Sequence, residues 1–173
     1  ILGGMAGGLP FDASVIGLEL GRRQKGFGAG GGMKIEKDQV RILGGVMGGH
    51  TTGGPLALLA ENADHKKWQG KAVDPMSAPR PGHADLTGAL KYGYHDLRPA
   101  LERSSARETT MRVAAGAVCK HFLAQFGIHV GGYVSSIGDV SADVQGKDLW
   151  VLYEAAETGC PAGLSVHLTS GSG

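Results

Sequence analysis

The chain has 173 residues, of which 17 are Lys or Arg and 16 are Asp or Glu, so its formal net charge is +1. This length fits one domain with a real core. The balanced charge supplies no global field that would attract nucleic acid or an anionic membrane. No apolar run has the length of a membrane span, and the first residues lack the basic flank of a secretory signal. We expect a soluble cytoplasmic protein whose anion sites are local.

Cysteine and glycine numbers are informative. Cys119 and Cys160 are the only cysteines. Because Cys119 falls in a helical pattern, a disulfide framework is not expected. Glycine is unusually frequent, with 31 residues, but it lacks the strict third-residue period of collagen. We expect these glycines to mark tight turns and close backbone approaches.

The first predicted element is a short amphipathic helix. Asp12 can cap its start, and Gly26 can end it. Three apolar residues lie near one face of this helix, namely Val15, Ile16 and Leu20. Two cations, Arg22 and Arg23, lie in its last turn, where the helix dipole favours positive charge.

Strand patterns follow this helix. In MKIEKDQVRILGG, a break at positions 38 and 39 separates Met33 and Ile35 from Val40 and Ile42. Alternation of this kind is typical of half-buried strands, so we expect a β-hairpin. Two further apolar runs, GGPLALLAEN and GIHVGGYVSSIG, have the length of strands, and glycines interrupt the second.

A long helix is predicted between those two runs. Ser105 followed by Glu108 matches the capping box, in which the serine oxygen accepts the backbone N–H of the glutamate. The helix should therefore begin near Ala106 and close at Gly127. Its apolar stripe is expected to be Met111, Ala115, Val118 and Phe122.

The start of this long helix is a candidate anion site. Free amide hydrogens and the positive end of the dipole meet there, with arginines and serines close in sequence. Ordinary capping beside solvated arginines is the alternative, and it is favoured when this feature is taken alone. We predict that a phosphate ligand would gather Arg80, His83, Arg103 and the helix start at Ala106.

Several longer strings carry a family resemblance. Six of them occur in the order and approximate spacing of chorismate synthase: RRQKGFG, MKIEKDQVRILGGV, TTGGPLALL, ENADHKKW, RPGHADLTGALKYGYHDLR and ERSSARETTMRVAAGAV. The sequence therefore resembles that family up to about Asp143. By contrast, GFGAGG at positions 26–31 matches a dinucleotide pattern only formally, because it follows a helix and precedes a strand.

The resemblance implies a fold and an activity. The fold would be α+β, a partial layered βαβ sandwich in residues 1–145, with residues 146–173 as a weakly matching tail, either a linker or an expression remnant. The activity would be that of a shikimate-pathway lyase, which eliminates phosphate from enolpyruvylshikimate phosphate to give chorismate and depends on reduced FMN. The resemblance also implies a homo-oligomer, a tetramer, with a small phosphorylated substrate as its partner.

Arginine suits such a substrate, because its paired donors match phosphate and carboxylate oxygens. By this chemistry Arg80, Arg103 and Arg107 are candidates for the substrate site. The resemblance adds Arg22 and Arg23, one of which is expected to be only a solvated helix end.

The flavin side rests on the strings RPGHAD and RSSARET. The resemblance implies that His83 protonates reduced flavin, and histidine suits this because its ordinary pKa lies near neutral pH. A hydrogen-bonded structural histidine is the alternative. Arg103, Ser104 and Ser105 would bind FMN, although one serine must also cap the helix. A metal site of His83, Asp85 and His95 has no recognised ligand spacing, so no metal is expected.

Departures from the family pattern keep a second hypothesis open. Ala29, Gly32 and Met47 stand where the family has arginines, and the family's GESHG histidine has no counterpart here. The alternative is a catalytically inactive fragment or degenerate relative that keeps the fold and weak anion binding. We expect the chain alone to form no chorismate. A phosphatase or kinase is less favoured, because no nucleophile elbow or lysine-bearing phosphate loop occurs.

Overall fold

The computed structural model describes residues 1–24, 39–142, 144, 146–158 and 166–168. The chain divides into two compact units, Ile1–Phe122 and Leu123–Gly173. The elements described are β1 (Gly7–Pro10), α1 (Ser14–Gln24), β2 (Val40–Gly44), β3 (Val46–Met47), β4 (His50–Thr52), β5 (Ala57–Ala60), a 3₁₀ helix (Ala63–Lys67), α2 (Asp85–Tyr92), α3 (Arg98–Arg103), α4 (Ala106–Ala124), β6 (Ser136–Ile137), β7 (Val140–Ala142), α5 (Leu149–Thr158) and β8 (Val166–Leu168). None of the described helices is long and apolar enough to cross a membrane. The domain boundary at residue 145 stays a prediction.

The first unit contains two small antiparallel sheets. One has the strand order β1-β4-β3, and the other pairs β2 with β5. Val40 lies opposite Ala60, and Ile42 lies opposite Leu58. The strand predicted at Val40 and Ile42 is confirmed, as is the strand in GGPLALLAEN. The other arm of the predicted hairpin, at 33–35, lies outside the described residues.

A side-chain hydroxyl joins β1 to β4. Buried Thr51 donates to the carbonyl of Ala6 at 2.6 Å and accepts the backbone N–H of Leu9 at 3.0 Å. A buried hydroxyl without partners would be unfavourable, so these two bonds make its burial tolerable and fix the neighbouring strand.

The core of the first unit lies where α1 and α4 meet the sheets. Its buried apolar residues are Phe11, Ile16, Leu20, Leu56, Ala114, Ala117 and Val118. The predicted start of α1 is confirmed, since a carboxylate oxygen of Asp12 accepts the backbone N–H of Ser14 at 2.9 Å. Lys120 of α4 also reaches Glu19 of α1, with 2.8 Å between Nζ and Oε1.

Helix α4 begins at Ala106 as predicted, but its cap differs from the prediction. The Ser105 hydroxyl accepts the N–H of Arg107 at 3.0 Å. The N–H of Glu108 instead donates to the backbone carbonyl of Ser105, also at 3.0 Å. The side-chain cap therefore acts one residue earlier than in a capping box.

The predicted buried stripe of α4 is also displaced. Of its four members only Val118 is buried, and Met111, Ala115 and Phe122 are half-buried. The fully buried positions are Thr110, Ala114, Ala117 and Val118. Small side chains on this face let α4 approach the core closely, so the larger side chains border the contact instead of filling it.

The second unit contains β6, β7 and β8 in one antiparallel sheet, with β7 in the middle. Asp148 caps α5 by accepting the N–H of Trp150 at 2.7 Å. The strand predicted across GIHVGGYVSSIG is wrong for residues 128–135, which form no strand. Within this stretch only residues 136–137 do so, as β6. Gly131 lies close to α5, since a Cβ there would lie 2.8 Å from Tyr153 Cδ2. The glycine backbone therefore rests on a tyrosine ring of α5.

We predict that Gly45→Ala destabilises the protein by ~2 kcal/mol or more. Gly45 has a φ of +91°, and a Cβ there would lie 2.6 Å from both Leu56 Cα and Pro55 O. Chemical denaturation of the purified chain measures the change in the free energy of unfolding. Gly44→Ala is the matched control, because its Cβ meets open space, and we expect it to change stability by ~1 kcal/mol or less. Equal stability of the two variants would contradict the close approach.

Candidate functional site

Residues 80–85 form a tight turn that leads into α2. The N–H of His83 donates to the carbonyl of Arg80 at 3.4 Å, and Gly82 has a φ of +71°. Proline followed by a glycine with positive φ is the signature of a type II turn. The turn places His83 on the surface, immediately before the helix.

Arg80 and Asp85 form a two-pronged ion pair across this turn. Nε of Arg80 lies 2.8 Å from Oδ2 of Asp85, and Nη2 lies 3.0 Å from Oδ1. The backbone N–H of Arg80 adds a third bond to Oδ2 at 3.0 Å. The Asp85 side chain is fully buried, whereas that of Arg80 remains 37% exposed. Parallel contacts of this kind are among the strongest that arginine makes.

The ion pair changes the acidity of the buried carboxyl group. The side-chain hydrogen bonds from Arg80 lower the pKa of Asp85 from 3.8 to about 2, with burial acting in the opposite direction. The Coulombic interaction with His83 is a further, smaller cause of the lowered pKa of Asp85. Asp85 is therefore a carboxylate over the physiological pH range.

Helices α2 and α3 touch closely. A Cβ on Gly88 of α2 would lie 2.6 Å from Cβ of Ala100 in α3. At the far end of both helices, the guanidinium carbon of Arg103 lies 5.8 Å from the centre of the Tyr92 ring. This distance fits a cation–π contact. Glu102 of α3, in turn, contributes to a raised pKa of Arg80, although hydrogen bonding to Asp85 is the main cause.

Asp96 holds the entry to α3. One carboxylate oxygen accepts the N–H of Met76 at 2.9 Å and that of Arg98 at 3.1 Å. These two backbone hydrogen bonds lower the pKa of Asp96. The aspartate therefore ties the loop before the turn to the start of α3, which helps to fix the position of the turn.

The serines between α3 and α4 are both engaged with the backbone. The Ser104 hydroxyl donates to the carbonyl of Ala100. The Ser105 hydroxyl accepts from Arg107, so its own proton is available to donate to another group. Both serines are half-buried, whereas Arg103 is exposed.

Two arginines lie at the first turn of α4, where each contacts a different partner. Nη2 of Arg23 donates to Oγ1 of Thr109 at 3.2 Å, and Nη2 of Arg107 donates to the carbonyl of Glu61. Arg22 is turned toward its own helix, where Nη2 lies 3.3 Å from Oε2 of Glu19. These contacts place Arg23 beside the predicted anion site.

The predicted site residues thus lie in two groups. Arg80 and His83 lie at the turn before α2, and Arg23, Ser105 and Arg107 lie at the start of α4. Helix α3 connects the two groups in the chain, with Arg103 as its last residue. The convergence of both groups on one phosphate ligand stays a prediction.

The sequence pattern implicates Asp85 only in a disfavoured metal site and gives no role to Tyr92 or Asp96. A signal for Asp85 was present, since a Pro-Gly turn brings residues three apart close together, and Asp85 follows the last residue of that turn by two positions. A signal for Asp96 was its place two residues before an Arg-Pro helix start. Within the described ranges, no group of three or more His, Cys, Asp or Glu residues is placed to hold a metal ion.

We predict that Asp85→Asn lowers stability at neutral pH and flattens the acid limb of the stability curve. The folded pKa of about 2 lies below the ordinary value of 3.8. The contribution of Asp85 is therefore complete above about pH 4 and is lost as pH falls through about 2. Denaturant midpoints from pH 7 to pH 2 measure this dependence. Asp74→Asn, at an exposed position, should keep the parental curve, and an unchanged curve for Asp85→Asn would contradict the assignment.

The sequence is similar to those of known proteins. A family model described as "Chorismate synthase" matches residues 1–167. The chain is 54% identical over 154 residues to the chorismate synthase of Geobacillus thermodenitrificans (strain NG80-2), which covers 83% of this chain and 40% of that protein. It is 52% identical over 147 residues to that of Aquifex aeolicus (strain VF5), covering 80% and 37%.

A solved structure titled "Crystal Structure of Chorismate Synthase" gives a TM-score of 0.59 at 36% identity, and the match covers 90% of this chain and 41% of that one. The antiparallel sheets and the long helix define an α+β protein with arginines gathered at helix ends. The chain belongs to the chorismate synthase family. The family resemblance and the α+β fold class are thereby confirmed. The chain spans about 40% of the length of the curated relatives it matches.

Proposed function

We propose that this chain acts in chorismate synthase, which eliminates phosphate from enolpyruvylshikimate phosphate to give chorismate in the shikimate pathway. The observation that carries the proposal is the turn at residues 80–85, in which Arg80, paired with Asp85, lies three residues before the exposed His83. Identity of 54% to a relative named chorismate synthase supports it. The same identity disfavours the alternative of an inactive chain that keeps only weak anion binding.

Substrate binding is assigned to arginines. A phosphate and two carboxylates require several cationic donors. Asp85 occupies Nε and Nη2 of Arg80, which leaves Nη1 as the nitrogen for a substrate oxygen. Arg23 and Arg107 are assigned to the same substrate from the start of α4, where the helix dipole also favours an anion. Arg22 completes the proposed set, although its pairing with Glu19 at 3.3 Å favours a structural role.

Flavin binding is assigned to Arg103, Ser104 and Ser105. The donors present fit a phosphorylated cofactor, because an exposed guanidinium and a hydroxyl with an available proton stand beside a helix start. Reduced FMN, when bound, supplies an electron-rich ring to an elimination that involves no net redox change. His83 holds the proton that we assign to the flavin, and its imidazole suits proton transfer near neutral pH.

Two further features stay predictions, and three departures from the family pattern qualify the proposal. The cytoplasmic location expected from the sequence stays a prediction, and so does the tetramer implied by the family resemblance. Met47, at a place where the family has arginine, is the last residue of β3 and is 77% exposed. Ala29 and Gly32 lie outside the described residues.

We predict that a chimera forms chorismate with reduced FMN when the part of this chain that matches the Geobacillus thermodenitrificans enzyme replaces its counterpart there. His83→Ala should lower kcat ~100-fold or more, because it removes an acid–base group. His95→Ala is the matched control, since His95 is also exposed but lies outside the turn. Turnover of enolpyruvylshikimate phosphate is followed by chorismate release, with the chain alone as the reference without turnover. A folded chimera that binds FMN but forms no chorismate would overturn the proposal.

We also predict that the chain alone binds FMN weakly and through its phosphate. Binding should weaken as salt rises, because exposed charges are screened. Arg103→Ala should weaken it by about 10-fold, the expected loss for a charge-assisted contact. Titration of FMN and of inorganic phosphate at low and high salt measures both effects. Arg41→Ala is the control, since Arg41 pairs with Glu61 at 3.2 Å on the exposed edge of β2. Tight FMN binding that ignores salt and Arg103 would contradict the prediction.

A further inference from the structure

The turn at residues 80–85 is closed by hydrogen bonds from Arg80 to Asp85. Three donors of Arg80, namely its backbone N–H, Nε and Nη2, converge on the Asp85 carboxylate at 3.0, 2.8 and 3.0 Å. Main chain and side chain of Arg80 are therefore held by the same anion. A ring forms that runs along the backbone from residue 80 to residue 85 and returns through the ion pair.

Burial within this pair is unequal. Asp85 is 0% exposed and Arg80 is 37% exposed. A buried carboxylate is tolerated only with strong partners, so loss of the arginine fork would leave it uncompensated. Asp85 also stands in the first turn of α2, and no side chain caps that helix at Ala84. The positive end of the helix dipole therefore favours the Asp85 charge from the other side.

His83 lies within this ring, but its imidazole takes no part in closing it. Within the described residues, no hydrogen bond or ion pair engages its imidazole. Its position consequently depends on the backbone of the turn, which is set by Gly82 at a φ of +71° and by the bond from its own N–H to Arg80 at 3.4 Å. The Arg80–Asp85 pair keeps the two ends of that backbone together.

We propose that Asp85 is a positioning residue: by gripping Arg80 through backbone and side chain, it fixes the turn that presents His83 for proton transfer. This inference rests on the proposed function for its catalytic consequence. Proton transfer requires donor and acceptor within hydrogen-bonding distance, and a displacement of about 1 Å can lower the rate ~100-fold. Asp85 acts through the backbone and touches neither the substrate nor the flavin in this account.

Asp85→Asn in the active chimera tests the proposal, because the amide keeps the shape but loses the charge and one acceptor oxygen. We expect kcat to fall ~10-fold or more, while the dissociation constant for FMN stays within about 3-fold of the parent. In a His83→Ala background, Asp85→Asn should lower kcat little further, because residues that act as one unit are not additive. Asp74→Asn is the matched control, at an exposed position where an equal change of charge should leave kcat unchanged.

A second measurement does not depend on catalysis. In the chain itself, the Nε–H proton of Arg80 is expected to give a slowly exchanging NMR signal, which Asp85→Asn abolishes while it shifts the His83 ring signals. If the chimera is inactive, the proposed function fails and these signals still decide whether Asp85 holds the turn. Unchanged His83 signals in Asp85→Asn would overturn the proposal. So would an Asp85→Asn effect on kcat that is fully additive with His83→Ala, because that result indicates a general structural role.

Discussion

The buried Asp85 carboxylate is the constraint on which the region from the turn to α3 depends. A charge with no exposed surface must have partners, and Arg80 supplies three donors from one residue. Satisfying the carboxylate therefore fixes the course of the backbone before α2, and with it the first turn of that helix. The turn that carries Arg80 and His83 is thus held by an ion pair, whereas the contact between α1 and α4 is held by apolar packing.

Small residues set the distances between the elements that carry the site. Gly88 allows α2 to touch Ala100 of α3, and Gly45 allows β2 to turn against the backbone of Leu56. Alanines on the buried face of α4 have the same effect at the core. The abundance of glycine is thus explained at these positions by close approach, since any larger side chain would collide with a neighbouring backbone or side chain.

Local signals in the sequence predicted local structure well. The cap at Asp12, the start of α4 at Ala106 and the strand at Val40 each follow from a few neighbouring residues. Features that depend on distant contacts were missed. The buried face of α4 shares one apolar cluster with Ile16 and Leu20 of α1. In the segment 128–135, which forms no strand, the backbone at Gly131 lies against the Tyr153 ring. Periodicity alone carries no information on such partners.

The same distinction applies to the candidate site. The residue types assigned to the site stay a prediction from chemistry, because oxyanions favour arginine and proton transfer near neutral pH favours histidine. The pairing of Arg80 with Asp85 could not be predicted from the sequence, since it depends on the burial of Asp85, which the sequence does not display. An arginine with one edge committed to a buried carboxylate has already lost much of its side-chain freedom, so a ligand that meets its other edge gives up less entropy on binding. The ion pair therefore stabilises the turn, and in the function proposed above it also prepares Arg80 to meet an anion beside His83.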